Sequence, residues 1–292
     1  MAEKRLHHSI PQFYLRGFTD PTVPAGQTPW LWVRDKVSGI VHRRAPKNLA
    51  AEIGFYSWHA ANGVDYEQVE NELAKIESRA AFALRRFLPP EMINRREINP
   101  DLYVFLSWLA ARVPWFKRFA SETWKEFLTS AATRDSDIPE DPHFRCTLMN
   151  LSTLETRRFT VPEARHAIRS GLWTATLDQN NLIEIMRLQA WYFQNRFFPK
   201  LHWTLLTAPD GHFFLTSDRP LLWYVPGRAL TDYPAALSHP EVELTVPLTK
   251  RHALLATPSP VPSGTGVHAD DVNARTVAFS ERFVASPVPQ GL

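Results

Sequence analysis

Cysteine is almost missing from the sequence. The 292 residues include one, Cys146. A single thiol cannot form a disulfide within the chain, and it cannot build a zinc site from cysteine ligands. Disulfide-stabilised secreted scaffolds are therefore excluded, and the composition is typical of a protein from a reducing compartment.

Long apolar runs are missing as well. No segment approaches the ~20 apolar residues that a membrane-spanning helix needs. Residues 1–8 contain no apolar stretch of signal-peptide length. We therefore expect a protein that has no membrane partner and is located in the cytoplasm.

Several motifs that identify common enzyme classes do not occur. The sequence contains no Gly-x-Gly-x-x-Gly, no Walker-type Gly-Lys-Ser/Thr, no His-Glu-x-x-His and no Gly-x-Ser-x-Gly. These absences argue against P-loop nucleotide binders, zincins and α/β-hydrolases. They leave open a site that is assembled from residues far apart in the chain.

The spacing of apolar residues predicts an α+β fold. Residues from about 66 to 198 carry apolar side chains at helical spacing, as at Val69 and Leu73, whereas residues from about 200 to 286 favour strands. We expect a helical middle layer packed against a mostly antiparallel sheet built from N-terminal and C-terminal hairpins. No repeat or linker interrupts the pattern, so residues 1–292 are predicted to form a single domain.

Two local signals mark helix boundaries in the middle of the chain. Pro114 lies inside the helical pattern of residues 100–131 and should kink that helix or divide it in two. Thr160 and Glu163 have the spacing of a capping box and predict a helix start. Residues 134–142 are acidic and proline-containing, and they predict a flexible loop.

Hairpin signals occur towards both ends. The predicted hairpins pair residues 30–33 with 40–42, 203–207 with 212–216, and 242–248 with 252–256. The second pair flanks Asp210-Gly211, which is a strong turn signal because this dipeptide accepts positive φ.

Motifs distributed over nearly the whole chain resemble one known family. They are residues 8–18 (HSIPQFYLRGF), 31–36, 46–49, 52–56, 70–77, Arg112-Val113-Pro114, 214–220 (FLTSDRP), Pro247-Leu248-Thr249, Asn273 and 283–286. In this order they resemble the bacterial domain-of-unknown-function family 4238. Arg219 departs from the pattern, in which an asparagine is expected. The resemblance implies a single full-length domain and carries no activity.

The predicted catalytic residues are His8, Glu52 and Asp218. His8 could act as a base because imidazole titrates near neutrality. Glu52 precedes an apolar run in which a carboxylate needs a cation or hydrogen-bond donors. Asp218 follows a predicted strand, at a position where scaffolds present polar groups to loops. Each residue also has a structural interpretation, as a helix cap, an ion-pair partner or a turn brace.

The predicted substrate-binding residues are Arg16, Arg112, Ser217 and Asn273. Arg112 lies on the apolar side of its predicted helix, so it should bind an anion or form an internal ion pair. The carboxylates considered for that pair are Glu52, Glu77 and Asp218. Glu70 and Glu77 share one face of their predicted helix, and we interpret that face as solvated or ion-paired.

These candidates support three interpretations. Convergence of His8, Glu52, Arg112 and Asp218 would suit hydrolysis of a phosphate-containing substrate or nucleic acid, assisted by a divalent metal of undetermined identity. The alternative is a non-catalytic module that binds nucleic acid or protein. Its surface would come from the exposed tryptophans and from the arginine pairs 43–44, 85–86, 95–96 and 157–158. The third interpretation is a buried ion network that fixes the packing between the layers.

Overall fold

A computed structural model describes residues 6–60, 63–88, 98–133, 146–228, 239–260, 267–290 and 292. Within these ranges no helix is both long enough and apolar enough to cross a membrane. Helices and antiparallel strands both contribute substantially to the architecture, which confirms the predicted α+β class.

The α-helices of the described ranges occupy mainly the middle of the chain. They are α1 (Gln12–Arg16), α2 (Gln68–Phe87), α3 (Pro100–Ala111), α4 (Pro114–Thr133), α5 (Val161–Arg169), α6 (Gln179–Tyr192) and α7 (Ala269–Phe279). A π-helical turn (Phe193–Phe197) and a 3-10 turn (Phe198–Lys200) continue the path of α6.

The strands are short and lie on both sides of the helical middle. They are β1 (Leu6–His8), β2 (Leu31–Asp35), β3 (Val41–Arg44), β4 (Ala51–Ile53), β5 (Trp58–Ala60), β6 (Gly63–Asp65), β7 (Cys146–Asn150), β8 (Thr156–Phe159), β9 (Trp173–Ala175), β10 (His202–Thr207), β11 (Thr216–Ser217), β12 (Leu222–Tyr224), β13 (Glu243–Pro247), β14 (His252–Thr257) and β15 (Phe283–Ser286).

All described strand pairs are antiparallel, but they form several sheets instead of the one sheet that we predicted. The strand orders are β11-β15-β2-β3, β10-β14-β13-β12, β8-β7-β9, β1-β4 and β5-β6. The N-terminal hairpin β2–β3 pairs with the C-terminal strand β15, with Val33 opposite Ala285. The two ends of the chain therefore meet in one sheet.

The largest apolar core connects these distant parts of the sequence. It takes side chains from α1, α3 and the strands of both four-stranded sheets, among them Tyr14, Phe105, Phe214 and Leu254. A second core lies beneath α2, α3 and α6. The single-domain prediction stays a prediction, and the shared main core supports it.

The helix-boundary predictions are confirmed. Helix α3 ends at Ala111 and α4 begins at Pro114, because a proline in a helix interior removes one hydrogen bond and clashes with the preceding turn. At α5 the Thr160 hydroxyl accepts from the Glu163 backbone N–H, and the Glu163 carboxylate accepts from the Thr160 backbone N–H. Residues 134–142 lie outside the described residues.

The predicted hairpin around Asp210-Gly211 is wrong, although its turn exists. Gly211 has a φ of 79°, and the His212 N–H donates to the Pro209 carbonyl at 3.0 Å. Strand β10 nevertheless pairs with β14. The Asn273 amide accepts from the Leu215 N–H and donates to the Phe213 carbonyl, both at 2.8 Å. This amide therefore takes the place of a strand partner for the segment after the turn.

Tyr14 provides a test of the contact between the N-terminal helix and the C-terminal strands. Its buried hydroxyl donates to the Pro247 carbonyl at 2.8 Å and lies 2.9 Å from the Thr216 hydroxyl. Tyr14→Phe should lower the free energy of unfolding by about 1–3 kcal/mol, because it leaves buried polar groups unsatisfied. Urea denaturation measures this loss.

The matched control is Tyr192→Phe, which removes the same hydroxyl from a side chain that is 45% exposed. It should change stability by less than about 0.5 kcal/mol. Equal losses in the two variants would contradict a specific role of the Tyr14 hydroxyl.

Candidate functional site around Arg112

Arg112 lies at the break between α3 and α4, where Pro114 ends the first helix. Its side chain is 1% exposed. The surrounding apolar cluster includes Leu73 and Trp108. The Tyr56 hydroxyl donates to the Arg112 carbonyl at 3.3 Å and so links the break to the segment after β4. The fold thus holds a guanidinium group in an environment that solvates charge poorly.

The guanidinium of Arg112 uses only part of its donor set. Its Nη1 donates to Glu77 Oε1 at 2.7 Å, which is one of the ion pairs considered from the sequence. Its Nε and Nη2 are buried and have no acceptor among the described residues. Nε and Nη2 form the side-on edge with which arginine binds a carboxylate or phosphate through two parallel hydrogen bonds.

Glu70 lies two turns before Glu77 on α2. Its Oε2 is buried without a donor in the described part of the chain. Burial and the charge of Glu77 raise the pKa of Glu70, Arg112 lowers it, and together these effects give a pKa of about 7. Our sequence interpretation of a solvated or ion-paired face holds for Glu77 and misses the burial of Glu70. This carboxyl group can exchange a proton near neutral pH.

His7, and not His8, enters this polar cluster. His7 is 1% exposed, accepts from the Tyr56 N–H through Nδ1 and donates to the Tyr66 carbonyl through Nε2, both at 2.8 Å. Adjacent residues of a strand point to opposite faces. His8 therefore points away, and its Nε2 bonds to the Lys47 carbonyl at 3.0 Å. Both ring nitrogens of His7 serve the fold.

Glu52 and Lys117 extend the cluster beyond Tyr56. Glu52 is the strand partner of His7 across β1 and β4 and forms an ion pair with Arg282. Lys117 donates to the Phe55 carbonyl at 2.6 Å and lies over the Phe55 ring. Burial lowers the pKa of Lys117 to about 8, against the opposing effect of Glu52.

Asp218 and Ser217 are buried and bonded within the fold. The Asp218 carboxylate accepts from the backbone N–H groups of Glu281 and Phe283 at 3.2 Å each. Burial raises the pKa of Asp218, and these backbone bonds oppose the shift. The Ser217 hydroxyl donates to the Arg219 carbonyl at 3.0 Å. The Asp218 and Ser217 side chains therefore stabilise the backbone of the segments that adjoin β11 and β15.

The remaining predicted residues lie elsewhere. Asn273 lines an open cleft of about 780 Å³ between α7 and residues 211–215, but its amide oxygen and nitrogen are engaged with that backbone. Arg16 is exposed at the end of α1. Arg219, which replaces the expected asparagine, is 4% exposed, and its guanidinium lies 3.7 Å from the centre of the Trp115 ring.

The structure does not bring His8, Glu52 and Asp218 together into a metal-binding group. Among the described residues, which include His8, Glu52 and Asp218, no group of three or more His, Cys, Asp or Glu side chains is arranged to hold a metal ion. His8 lies on the other face of β1, Glu52 pairs with Arg282, and Asp218 accepts backbone hydrogen bonds. Among the predicted site residues, Arg112 is the one with buried side-chain donors that have no acceptor in the described part of the chain.

The buried Glu70 carboxyl should make stability depend on pH. A raised pKa means that the folded protein binds this proton more tightly than the unfolded chain, whose glutamates titrate near 4.5. The stabilising contribution is therefore complete below pH 4.5 and is lost as the pH rises through about 7. Relative to the wild type, Glu70→Gln should therefore gain about 2 kcal/mol in free energy of unfolding between pH 5 and pH 8.

Urea denaturation at pH 5, 6, 7 and 8 tests this difference. The control Glu126→Gln removes an exposed carboxylate from α4. Its stability relative to the wild type should change little over the same series. A constant difference between Glu70→Gln and the wild type would show that Glu70 is not shielded from solvent.

The comparison with known families agrees with the sequence motifs. The family model described as "Protein of unknown function (DUF4238)" matches residues 6–287. No curated protein and no solved structure matches the chain. The matched region includes β1, the whole Arg112 cluster and β15. The chain therefore belongs to the DUF4238 family.

Proposed function

We propose that this protein is a hydrolase that acts on a phosphate-containing substrate through an acid–base site formed by Arg112 and Glu70. The observation that carries the proposal is the side-on edge of Arg112. This edge is buried, and it has no acceptor in the described ranges. A buried donor pair without an acceptor is rare in folded proteins, and a bound anion would supply the acceptors that this pair lacks.

Arg112 would bind and orient the phosphate. Its backbone is held by Tyr56 and its Nη1 by Glu77, so the guanidinium plane is set before a substrate arrives. Two parallel N–H···O bonds fix both the position and the orientation of a phosphate group. The apolar surroundings strengthen this interaction relative to water, and they would also stabilise charge that develops on the phosphoryl oxygens.

Glu70 would transfer the proton. General acid–base catalysis is most effective when the pKa of the catalytic group lies near the working pH. Burial places the pKa of Glu70 at about 7, in the neighbourhood of both Arg112 and Glu77. The chemistry of this pair requires no metal, and neither His8, Glu52 nor Asp218 transfers a proton or binds the phosphate in it.

The binding-module alternative has weaker support. Its arginines lie on separate elements, and several are already engaged. Arg157 pairs with Glu155, and Arg158 lies 3.7 Å from the Asp178 carboxylate. The guanidinium of Arg43 covers the Trp30 and Trp32 rings at 5.1 and 4.7 Å, so those rings are less open to stacking bases. Residues 95–96 lie outside the described residues.

Arg112→Lys tests the hydrolase proposal. Lysine keeps the positive charge but cannot form two parallel hydrogen bonds to one phosphate. With 4-nitrophenyl phosphate and bis(4-nitrophenyl) phosphate as substrates, the wild type should release nitrophenolate. The variant should lose about 10- to 100-fold in kcat/KM, as expected for about 1.5–3 kcal/mol of charged hydrogen bonding. Circular dichroism would confirm that the variant is folded.

Arg79→Lys is the matched control. Arg79 lies on α2, the helix of Glu70, and its side chain is 59% exposed in a loose pair with Asp101. This variant should keep the wild-type rate. Full activity in folded Arg112→Lys, or no hydrolysis of either ester by the wild type, would refute the proposed function.

A further inference from the structure

The charged groups around Tyr56 form one electrostatic unit. Tyr56 lies within range of the charges of Arg112, Glu70, Glu77 and Glu52. Glu52 in turn interacts with Lys117 and pairs with Arg282. Arginine and lysine therefore contribute three positive charges to this unit. Glu52 and Glu77 contribute two negative charges, so the charge of Glu70 decides the balance.

The balance favours a ligand with one negative charge. With Glu70 protonated the unit carries a net charge of about +1, and a singly charged anion on Arg112 brings it to zero. A doubly charged anion would leave an uncompensated negative charge in a poorly solvated place, which is strongly unfavourable. With Glu70 ionised the unit is already neutral, so anion binding and the ionised form of Glu70 oppose each other.

We propose that the site takes a singly charged phosphodiester in preference to a doubly charged phosphomonoester, and that Glu70 is the acid that protonates the leaving oxygen. The inference rests on the proposed function above and names its substrate class. The supporting geometry is the buried side-on edge of Arg112, the Glu77 ion pair beside it and the buried Glu70 Oε2. A bound anion stabilises the protonated form of Glu70, which is the form that donates a proton to the leaving oxygen.

The reaction balances without an additional reactant. The oxygen of a water molecule forms a bond to phosphorus, and the bond between phosphorus and the leaving oxygen breaks. The Glu70 proton passes to the leaving oxygen and yields an alcohol. The proton that the water loses restores the acid form of Glu70, and the second product is a phosphomonoester.

The elements packed around α2 carry other charged groups that must be compared with Glu70 as sources of a pH dependence of anion binding. Arg16 on α1 is exposed. Arg187 on α6 pairs with Glu72 and Glu184. His7 on β1 uses both ring nitrogens in bonds to backbone groups. Lys117 on α4 has a pKa of about 8, so it keeps most of its charge up to pH of about 7 and is half neutral at pH of about 8. From pH 5.5 to about 7, Glu70 is therefore the group whose ionisation should control anion binding.

Calorimetric titration with dimethyl phosphate tests this binding step. Dimethyl phosphate keeps a single negative charge over pH 5.5–8, so a pH dependence of its Kd comes from the protein. For the wild type, Kd should be constant at low pH and rise towards tenfold per pH unit above about 7. For Glu70→Gln, which keeps a neutral side chain, Kd should stay nearly constant. A wild-type Kd that does not change with pH, or the same pH dependence in both proteins, would overturn the inference.

Kinetics with different leaving groups test the role of Glu70 as an acid. Nitrophenolate leaves without a proton, whereas the alkoxide of a thymidine dinucleotide needs one. Glu70→Gln should therefore slow dinucleotide hydrolysis at least 100-fold and bis(4-nitrophenyl) phosphate hydrolysis less than tenfold. An equal reduction in the rates of hydrolysis of the two diesters would show that Glu70 does not act as the acid. Glu126→Gln serves as the control and should behave as the wild type does.

The substrate comparison separates this inference from the proposed function. The wild type should hydrolyse bis(4-nitrophenyl) phosphate at least tenfold faster, in kcat/KM, than 4-nitrophenyl phosphate. A preference for the monoester would overturn the inference and leave the hydrolase proposal standing. Hydrolysis of neither ester would overturn the hydrolase proposal, and the dimethyl phosphate titration would then decide separately whether Arg112 and Glu70 form a site for singly charged anions.

Discussion

The burial of Arg112 is the constraint on which the candidate site depends. Pro114 ends α3 and forces a break, and the backbone at that break places a guanidinium group among apolar side chains. An unpaired guanidinium would be costly there. Glu77 on α2 compensates part of the charge with one 2.7 Å bond. The same ion pair joins α2 to the break, and it leaves the side-on donors of Arg112 for another acceptor.

Asp218, which is buried, and Glu70, which is partly buried, show how a structural carboxyl group differs from a candidate functional one. Burial raises the pKa of both Asp218 and Glu70. Asp218 accepts hydrogen bonds from two backbone N–H groups, so its burial organises the connection into β15. Glu70 Oε2 has no donor in the described part of the molecule. A buried carboxylate whose hydrogen bonds are satisfied stabilises the fold, whereas a carboxyl group with a raised pKa and an unused buried oxygen is a candidate for contact with a ligand.

Features that depend on a few neighbouring residues could be predicted from the sequence. The Thr160 capping box and the break at Pro114 each follow from local backbone chemistry, and both are present. The Asp210-Gly211 turn also forms, yet the predicted hairpin does not. The partner of β10 is β14, which lies about 50 residues further along the chain. A turn sequence specifies its own φ angles, but it does not specify which strand the adjoining segment will meet.

The candidate site depends on contacts between residues that are far apart in the sequence, and local patterns do not predict such contacts. His7 is bonded to residues 49 and 59 positions away, and the Arg112–Glu77 pair spans 35 positions. The sequence by itself determined the class of fold, the helix boundaries set by proline and capping residues, and the need of Arg112 for a charged partner, which Glu77 supplies. Tertiary structure alone decided that His7 is buried instead of His8, and that Glu70 is partly buried with its Oε2 shielded from solvent. Burial is a property of segments packed together from different parts of the chain, and the pKa of a carboxyl group follows burial more than it follows local sequence.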